Sequence, residues 1–115
     1  MKRYCFVLEI KPEYVDKYIE MHEKAWPEIL QAGKDTGAEN LIIYMYDNFS
    51  IVFFECEDID AFYEAYGKLD AVKRWNEVTG PFIQKGPIID GTGKVKTLRK
   101  VYDLKQQIEG ELLQY

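Results

Sequence analysis

His22 is the one histidine in 115 residues, and it stands midway between Tyr18 and Trp26 in the stretch EYVDKYIEMHEKAWPEIL, residues 13–30. A spacing of four puts side chains one turn apart on a helix face. Imidazole titrates near neutrality, so a group of this kind can take up or deliver a proton during catalysis. The plainer reading is a partly exposed histidine at the border of a helix face. The aromatic residues Tyr14, Tyr18, Trp26, Tyr63, Tyr66 and Trp75 carry the same ambiguity. They are either core, or the walls of a site for a sugar, whose C–H faces are apolar and whose rim needs directed hydrogen bonds. Two helices bringing Tyr18, His22 and Trp75 toward one sheet would enclose such a pocket. Glu9, Glu28 and Glu55 could assist a histidine, although each also reads as a solvated or ion-paired side chain. Gly91, Thr92 and Gly93 are too few to cradle a phosphate and read as a flexible turn.

Composition removes several classes of function. With 47% hydrophobic and 15% aromatic residues the chain is too apolar for disorder, and a net charge of −5 opposes general attraction to phosphates. Nucleic acid is therefore not expected, and a small polar or neutral ligand fits better. The N-terminal MKRYCFVLEIK lacks the apolar core of a signal peptide, and no run approaches the roughly 18 residues of a membrane span. A cytoplasmic protein without a membrane partner is the expectation. Two cysteines, Cys5 and Cys56, lie in separate strand-like runs and read as buried free thiols. One histidine and no CxxC pattern leave a zinc site without its usual ligands, so no metal is expected.

The elements that must position these residues follow from periodicity. RYCFVLEI alternates, with Tyr4, Phe6, Leu8 and Ile10 on one side and Cys5 and Val7 on the other, as a strand would. Pro12 suits a first helical turn, and Val15, Tyr18, Ile19 and His22 then recur at helical spacing. Pro27 predicts a kink at Trp26, with the helix resuming through Ile29 and Leu30 and stopping near Gly37. NLIIYMY and SIVFFEC form a hairpin across DNF. Asp58 caps a helix carrying Ile59, Phe62, Tyr63 and Tyr66, and Asp70 caps another carrying Val72, Trp75 and Val78. After a loop over KGPIIDGTGK, VKTLRKVYDL reads as the last strand. The order β-α-β-β-α-β is the split βαβ, ferredoxin-like arrangement: an α+β fold with a four-stranded antiparallel sheet and helices on one face. The other face is too apolar to stay wet, and a second copy's sheet would cover it, giving a two-fold homodimer of the dimeric α/β-barrel kind.

RYCFVLEI, Tyr18, His22, WPE at 26–28, GAEN at 37–40, and Arg74 with Trp75, in this order and spacing, resemble the L-rhamnose mutarotase family from Arg3 to about Leu104. The resemblance implies a small cytoplasmic homodimer that interconverts the α and β anomers of a free 6-deoxy sugar, a monosaccharide substrate, with no cofactor. It implies His22 as proton donor, with Tyr18 helping to hold the sugar and Trp75 at it; Trp26, an aromatic neighbour in sequence, is a further substrate-binding candidate. Asn76 replaces the second of two adjacent family tryptophans, and Leu41 stands where the family has a sugar-contacting tyrosine. Both changes bear on which sugar is preferred, so L-fucose or a related sugar stays open beside L-rhamnose. Residues 1–104 form the single domain on this reading, and 105–115 extend beyond the family pattern as a tail. Two other readings share the fold: a dimeric α/β-barrel monooxygenase, betrayed by a haem absorption band, and a non-catalytic effector-binding or dimerisation module, indifferent to loss of His22.

Overall fold

Alternation in the first strand sets the two faces of the sheet. In the computed structural model, which describes residues 2–86 and 95–110, β1 spans Lys2–Ile10. It pairs antiparallel with β3, Phe49–Cys56, which in turn pairs with β2, Asn40–Tyr46. On its other edge β1 meets the short β4, Ile83–Lys85, so the sheet order is β2-β3-β1-β4, that of the ferredoxin-like fold. Directly opposed residues share a face. The register Tyr4 to Phe54, Phe6 to Val52 and Leu8 to Ser50 therefore lines one row toward the helices, with Leu41, Ile43 and Met45 beside it on β2. Cys5, Val7, Ile42, Tyr44, Tyr46, Ile51 and Phe53 occupy the opposite face.

The hairpin turn is tighter than DNF suggests. Asp47 and Asn48 alone make it, with Asp47 at φ 51°, and Phe49 already opposes Tyr46 and Glu9 in the ladder. Asn48 also anchors the turn to the end of β1, exchanging a backbone bond of 2.8 Å from the Ile10 N–H and a side-chain bond of 2.9 Å to the Ile10 carbonyl.

Pro27 breaks the first helical segment outright instead of kinking it. A 3-10 turn, Pro12–Tyr14, leads into α1, Val15–Glu23, and α2 runs separately over Pro27–Asp35. Trp26 is extended between them, at ψ 138°, because a proline ring disfavours helical backbone in the residue before it. Pro27 itself starts α2, where its missing N–H costs nothing. Gly37, at φ 104°, follows the end of α2 in the left-handed region expected of it. In α3, Ile59–Tyr66, the Asp58 carboxylate accepts from the N–H groups of Asp60 and Ala61 as a cap. Asp70 does not cap α4, Asp70–Thr79: it is the first helical residue, where its charge still favours the positive helix end.

The last strand lies earlier than the alternation of VKTLRKVYDL suggests. Ile83–Lys85 takes the place beside β1, directly after a 3-10 turn over Gly80–Phe82. Within 95–103 Val95 is buried, while Leu98, Val101 and Tyr102 are exposed, so the segment has too little to bury to complete a ladder. It keeps one strand-like bond, from the Leu98 N–H to the Cys5 carbonyl at 2.7 Å. A short helix α5, Leu104–Ile108, follows, capped by Asp103. The expected turn at Gly91 to Gly93 and the tail's end at 111–115 lie outside the described residues.

Cys5 and Cys56 are both free and point to opposite faces of the sheet, Cys56 buried under the helices and Cys5 half-buried on the open side. The main core lies between β1, β3 and α3. Phe54, 1% exposed, packs its ring on Phe62 at 4.7 Å and on Tyr63 at 5.9 Å. Replacing Phe54 with Ala is expected to lower the unfolding free energy by about 3–5 kcal/mol in urea titrations, since the cavity cannot collapse inside a ring cluster. A loss under about 1 kcal/mol would place the ring outside the core.

Candidate active site

Helix α1 positions the site, and it has one buried residue with which to do so. Tyr18, 3% exposed, drops onto the sheet between Ile10 and Phe82, and its hydroxyl meets the Ser50 Oγ at 2.7 Å. Ser50 is the chain's only serine, fully buried on β3 between Leu8 and Met45. A hydroxyl in such apolar company needs a partner, and the phenol supplies it. Sequence reasoning missed Ser50. The signal was a single hydroxyl in the inward-facing row of an otherwise apolar strand.

One turn further on, the His22 Nδ1 lies 2.7 Å from the Tyr18 carbonyl oxygen. A carbonyl can only accept, so Nδ1 carries the proton, and in the neutral ring Nε2 is left with a lone pair. Burial lowers the pKa of His22 from its ordinary value, and the bond to the carbonyl opposes that shift only in part. The ring is therefore neutral at pH 7. Burial likewise raises the Tyr18 phenol, with the Ser50 hydrogen bond working the other way. Tyr18 remains protonated near neutrality.

Trp75 enters from α4. The His22 ring stands 4.2 Å from that of Tyr18 and 5.4 Å from that of Trp75, edge to face with the indole, and Trp26 meets Trp75 edge to face at 5.1 Å. The structure thus joins Tyr18, His22, Trp75 and Trp26 into one series of ring contacts. Trp75 also serves the core, packed with Ile29, Ala32 and Val72 between α2 and α4. Leu41 and Asn76 are placed differently. Leu41 lies on the helix-facing side of edge strand β2 opposite Phe54, and Asn76 on α4; both are exposed.

The three carboxylates are occupied elsewhere. Glu28 faces Arg74 at 4.0 Å, Glu55 faces Arg3 at 3.5 Å, and Glu9 accepts from Gln84 at 3.3 Å. Glu9 and Glu55 also project from the sheet face away from the helices. Among the described residues no three His, Cys, Asp or Glu side chains gather as a metal site would require. A concavity of about 310 Å³ beside α1 is lined by Lys17, Glu20, Met21, Lys24, Trp26 and Val78, and of the four rings of the site it touches Trp26 alone.

A split βαβ sheet carrying one half-buried histidine among aromatic rings defines the class: a small α+β protein of the ferredoxin-like fold. Solved structures agree on the fold. An L-rhamnose mutarotase from Formosa agariphila superposes with a TM-score of 0.67 at 18% identity, covering 90% of this chain and 99% of its own. The tetracenomycin F2 cyclase of Streptomyces glaucescens, a type-II polyketide cyclase, gives 0.59 at 15% identity, covering 90% and 96%. Sequence is more specific. The L-rhamnose mutarotase family model matches residues 3–104, and the chain belongs to that family. L-rhamnose mutarotases of Ligilactobacillus salivarius and Tolumonas auensis are 30% and 31% identical to it, over 70% and 74% of this chain and 79% and 71% of theirs. That of Pectobacterium atrosepticum is 28% identical over 76% of this chain and 85% of its own. The family is one of isomerases acting on sugar anomers, which favours that reading over the oxygenase and the non-catalytic module.

The bond between Tyr18 and Ser50 makes its own prediction. Ser50→Ala strands a buried phenol hydroxyl and should cost about 1–3 kcal/mol of stability, whereas adding Tyr18→Phe removes the orphan and should recover part of that loss. Strictly additive losses in a denaturation cycle would show that the two hydroxyls do not depend on each other.

Proposed function

We propose that the protein is a mutarotase, interconverting the α and β anomers of a free 6-deoxy sugar, L-rhamnose or a close epimer, with His22 as the proton-transfer residue. The observation that carries this is His22 itself. In a chain matched to the mutarotase family over residues 3–104, its ring lies half-buried between Tyr18 and Trp75, with one nitrogen uncommitted among the described residues. Mutarotation moves protons between the anomeric hydroxyl and the ring oxygen while the C1 to ring-oxygen bond breaks and reforms, so it requires acid-base chemistry and no cofactor. Tyr18, Trp75 and Trp26 supply the aromatic side of the sugar site. Asn76 and Leu41, in positions where the family carries tryptophan and tyrosine, are the residues that set which hydroxyls find partners. L-fucose belongs in the test for that reason.

The same reading includes a homodimer built on the open sheet face. Tyr44, Tyr46, Ile42, Phe53 and Phe49 lie on that face with between 38% and 67% of their surface exposed, more contiguous apolar surface than a lone sheet keeps in water. A second copy offers the same rows and would bury them. Residues 1–104 form the mutarotase domain in this proposal, with 105–115 an extension of it. Two free thiols suit a reducing cytoplasm, and among the described residues no helix is long and apolar enough to cross a membrane.

Saturation-difference proton NMR of anomeric exchange at equilibrium, with L-rhamnose, L-fucose and D-glucose, tests the activity. One deoxy sugar should exchange faster with catalytic amounts of protein, and His22→Ala should lose most of that acceleration, about a hundredfold or more, while its circular dichroism is unchanged. Equal acceleration by the variant would remove His22 from the chemistry. Light scattering should give twice the 13.5 kDa chain mass, and Phe53→Glu should return it to one chain. A Phe53→Glu variant that stays paired would move the interface off this face.

A further inference from the structure

We infer that the phenols of Tyr63 and Tyr66, on α3, are sugar contacts that hydrogen-bond the hydroxyls lying away from the anomeric carbon. The inference rests on the mutarotase reading and supplies the polar side of that site. It starts from the sheet. On the helix-facing rows Phe6, Ile10, Val52 and Phe54 are sealed, but Leu8 and Met45, on either side of Ser50, and Ile43, beside Val52, are only half-buried. The helices leave this strip of sheet partly uncovered, and α1 borders it where Tyr18 reaches Ser50. It is an apolar floor beside the turn that carries His22.

Helix α3 stands over the same two strands. Tyr63 and Tyr66 are three residues apart and share a helix face, with their rings 6.1 Å from each other. Tyr63 packs on Phe6 at 6.2 Å and on Phe54 at 5.9 Å. Tyr66 stacks on Phe62 at 5.0 Å and also packs against the cluster that holds Trp75. Both rings are thus fixed. Yet neither hydroxyl has a hydrogen bond among the described residues, where no side-chain oxygen is both sealed and unpartnered, so both oxygens stay accessible. A packed ring with an open O–H suits ligand binding, since the hydroxyl both donates and accepts. Burial raises both phenols above their ordinary pKa, with Tyr66, Cys56 and Tyr18 adding to the effect at Tyr63, so both keep the proton to donate at pH 7. The other polar groups of this interior are spent. Tyr18 is bonded to Ser50, and Thr79 donates to the Trp75 carbonyl at 3.0 Å. Leu41, across the ladder from Phe54, brings no polar atom, and Glu9 and Glu55 project from the opposite face. A sugar with its anomeric carbon at His22 therefore meets two phenols around the rest of its ring, where epimers differ. Tyr63 and Tyr66 thereby join Leu41 and Asn76 in deciding between L-rhamnose and L-fucose.

Two measurements on the full chain decide it. Tyr63→Phe and Tyr66→Phe remove the oxygens and keep the rings. Each should lower kcat/KM for the faster of L-rhamnose and L-fucose by about three- to tenfold, the worth of one hydrogen bond, and change the ratio between the two sugars, with the circular dichroism spectrum unchanged. A purely structural hydroxyl would affect both sugars alike. An equal loss for both, or no loss, overturns the assignment of that residue. The second measurement uses protein labelled with carbon-13 at the tyrosine Cζ. Of the resonances from nine tyrosines, saturating sugar should shift the two that the Phe variants delete; if those two stay in place, the phenols do not touch the sugar. Wild-type protein that accelerates exchange of no sugar removes the mutarotase reading and this inference together, whereas wild-type exchange with equal rates in both variants removes only the two phenols.

Discussion

The hydrogen bond from Tyr18 to Ser50 is the constraint on which the site depends. Helix α1 is short, and Tyr18 is its one buried residue. An apolar side chain at that position would leave the helix free to slide or roll by an ångström or so over Ile10 and Phe82. Two hydroxyls 2.7 Å apart, both sealed from water, do not tolerate that. The bond therefore fixes the height and the rotation of α1 above β3. The next turn of the helix carries His22, and its Nδ1 is bound to the backbone of the residue whose side chain is pinned. A constraint at the base of the helix thus becomes the orientation of one imidazole nitrogen.

The break at Trp26 does the complementary work on the other side. A continuous helix from Val15 to Asp35 would carry Trp26 onward along its own axis. Because Pro27 excludes helical backbone at Trp26, the chain turns there, and the indole meets Trp75 edge to face. Trp75 is in turn held by α2, through Ile29 and Ala32. The ring that faces His22 is thus braced by a helix that exists separately only because of the proline.

Much of this is legible in the residues, and the failures have physical causes. Strong alternation in RYCFVLEI fixes both faces of β1, because a strand with one buried side admits a single register. The inward row Tyr4, Phe6, Leu8 and Ile10 lies as that alternation requires. The hairpin and the Asp58 cap follow from equally local chemistry. VKTLRKVYDL misleads because its alternation is real but its side chains are exposed, while the three residues that do pair with β1 are too few to show a period. The sequence suggests a kink where the structure has a break because a proline can either kink or stop a helix; here Trp26 takes the extended backbone that Pro27 favours, and the helix stops. The ring contacts among His22, Tyr18, Trp75 and Trp26 join residues that type and spacing single out. Ser50 is not singled out in that way, since its importance lies in a partner 32 positions away.

The two apolar faces of the sheet differ by a single step of register. Ser50 and Phe54 point toward the helices, and Ile51 and Phe53 point away. Composition cannot tell these rows apart, because both are rich in large side chains. What distinguishes them is the hydroxyl. The open face offers a row of Ile, Tyr and Phe, which is shape and apolar area without a directed bond. A helix that holds one imidazole on the other face needs one position and no other. One directed bond within an otherwise greasy row supplies that uniqueness, where further hydrophobic area would have added stability without it.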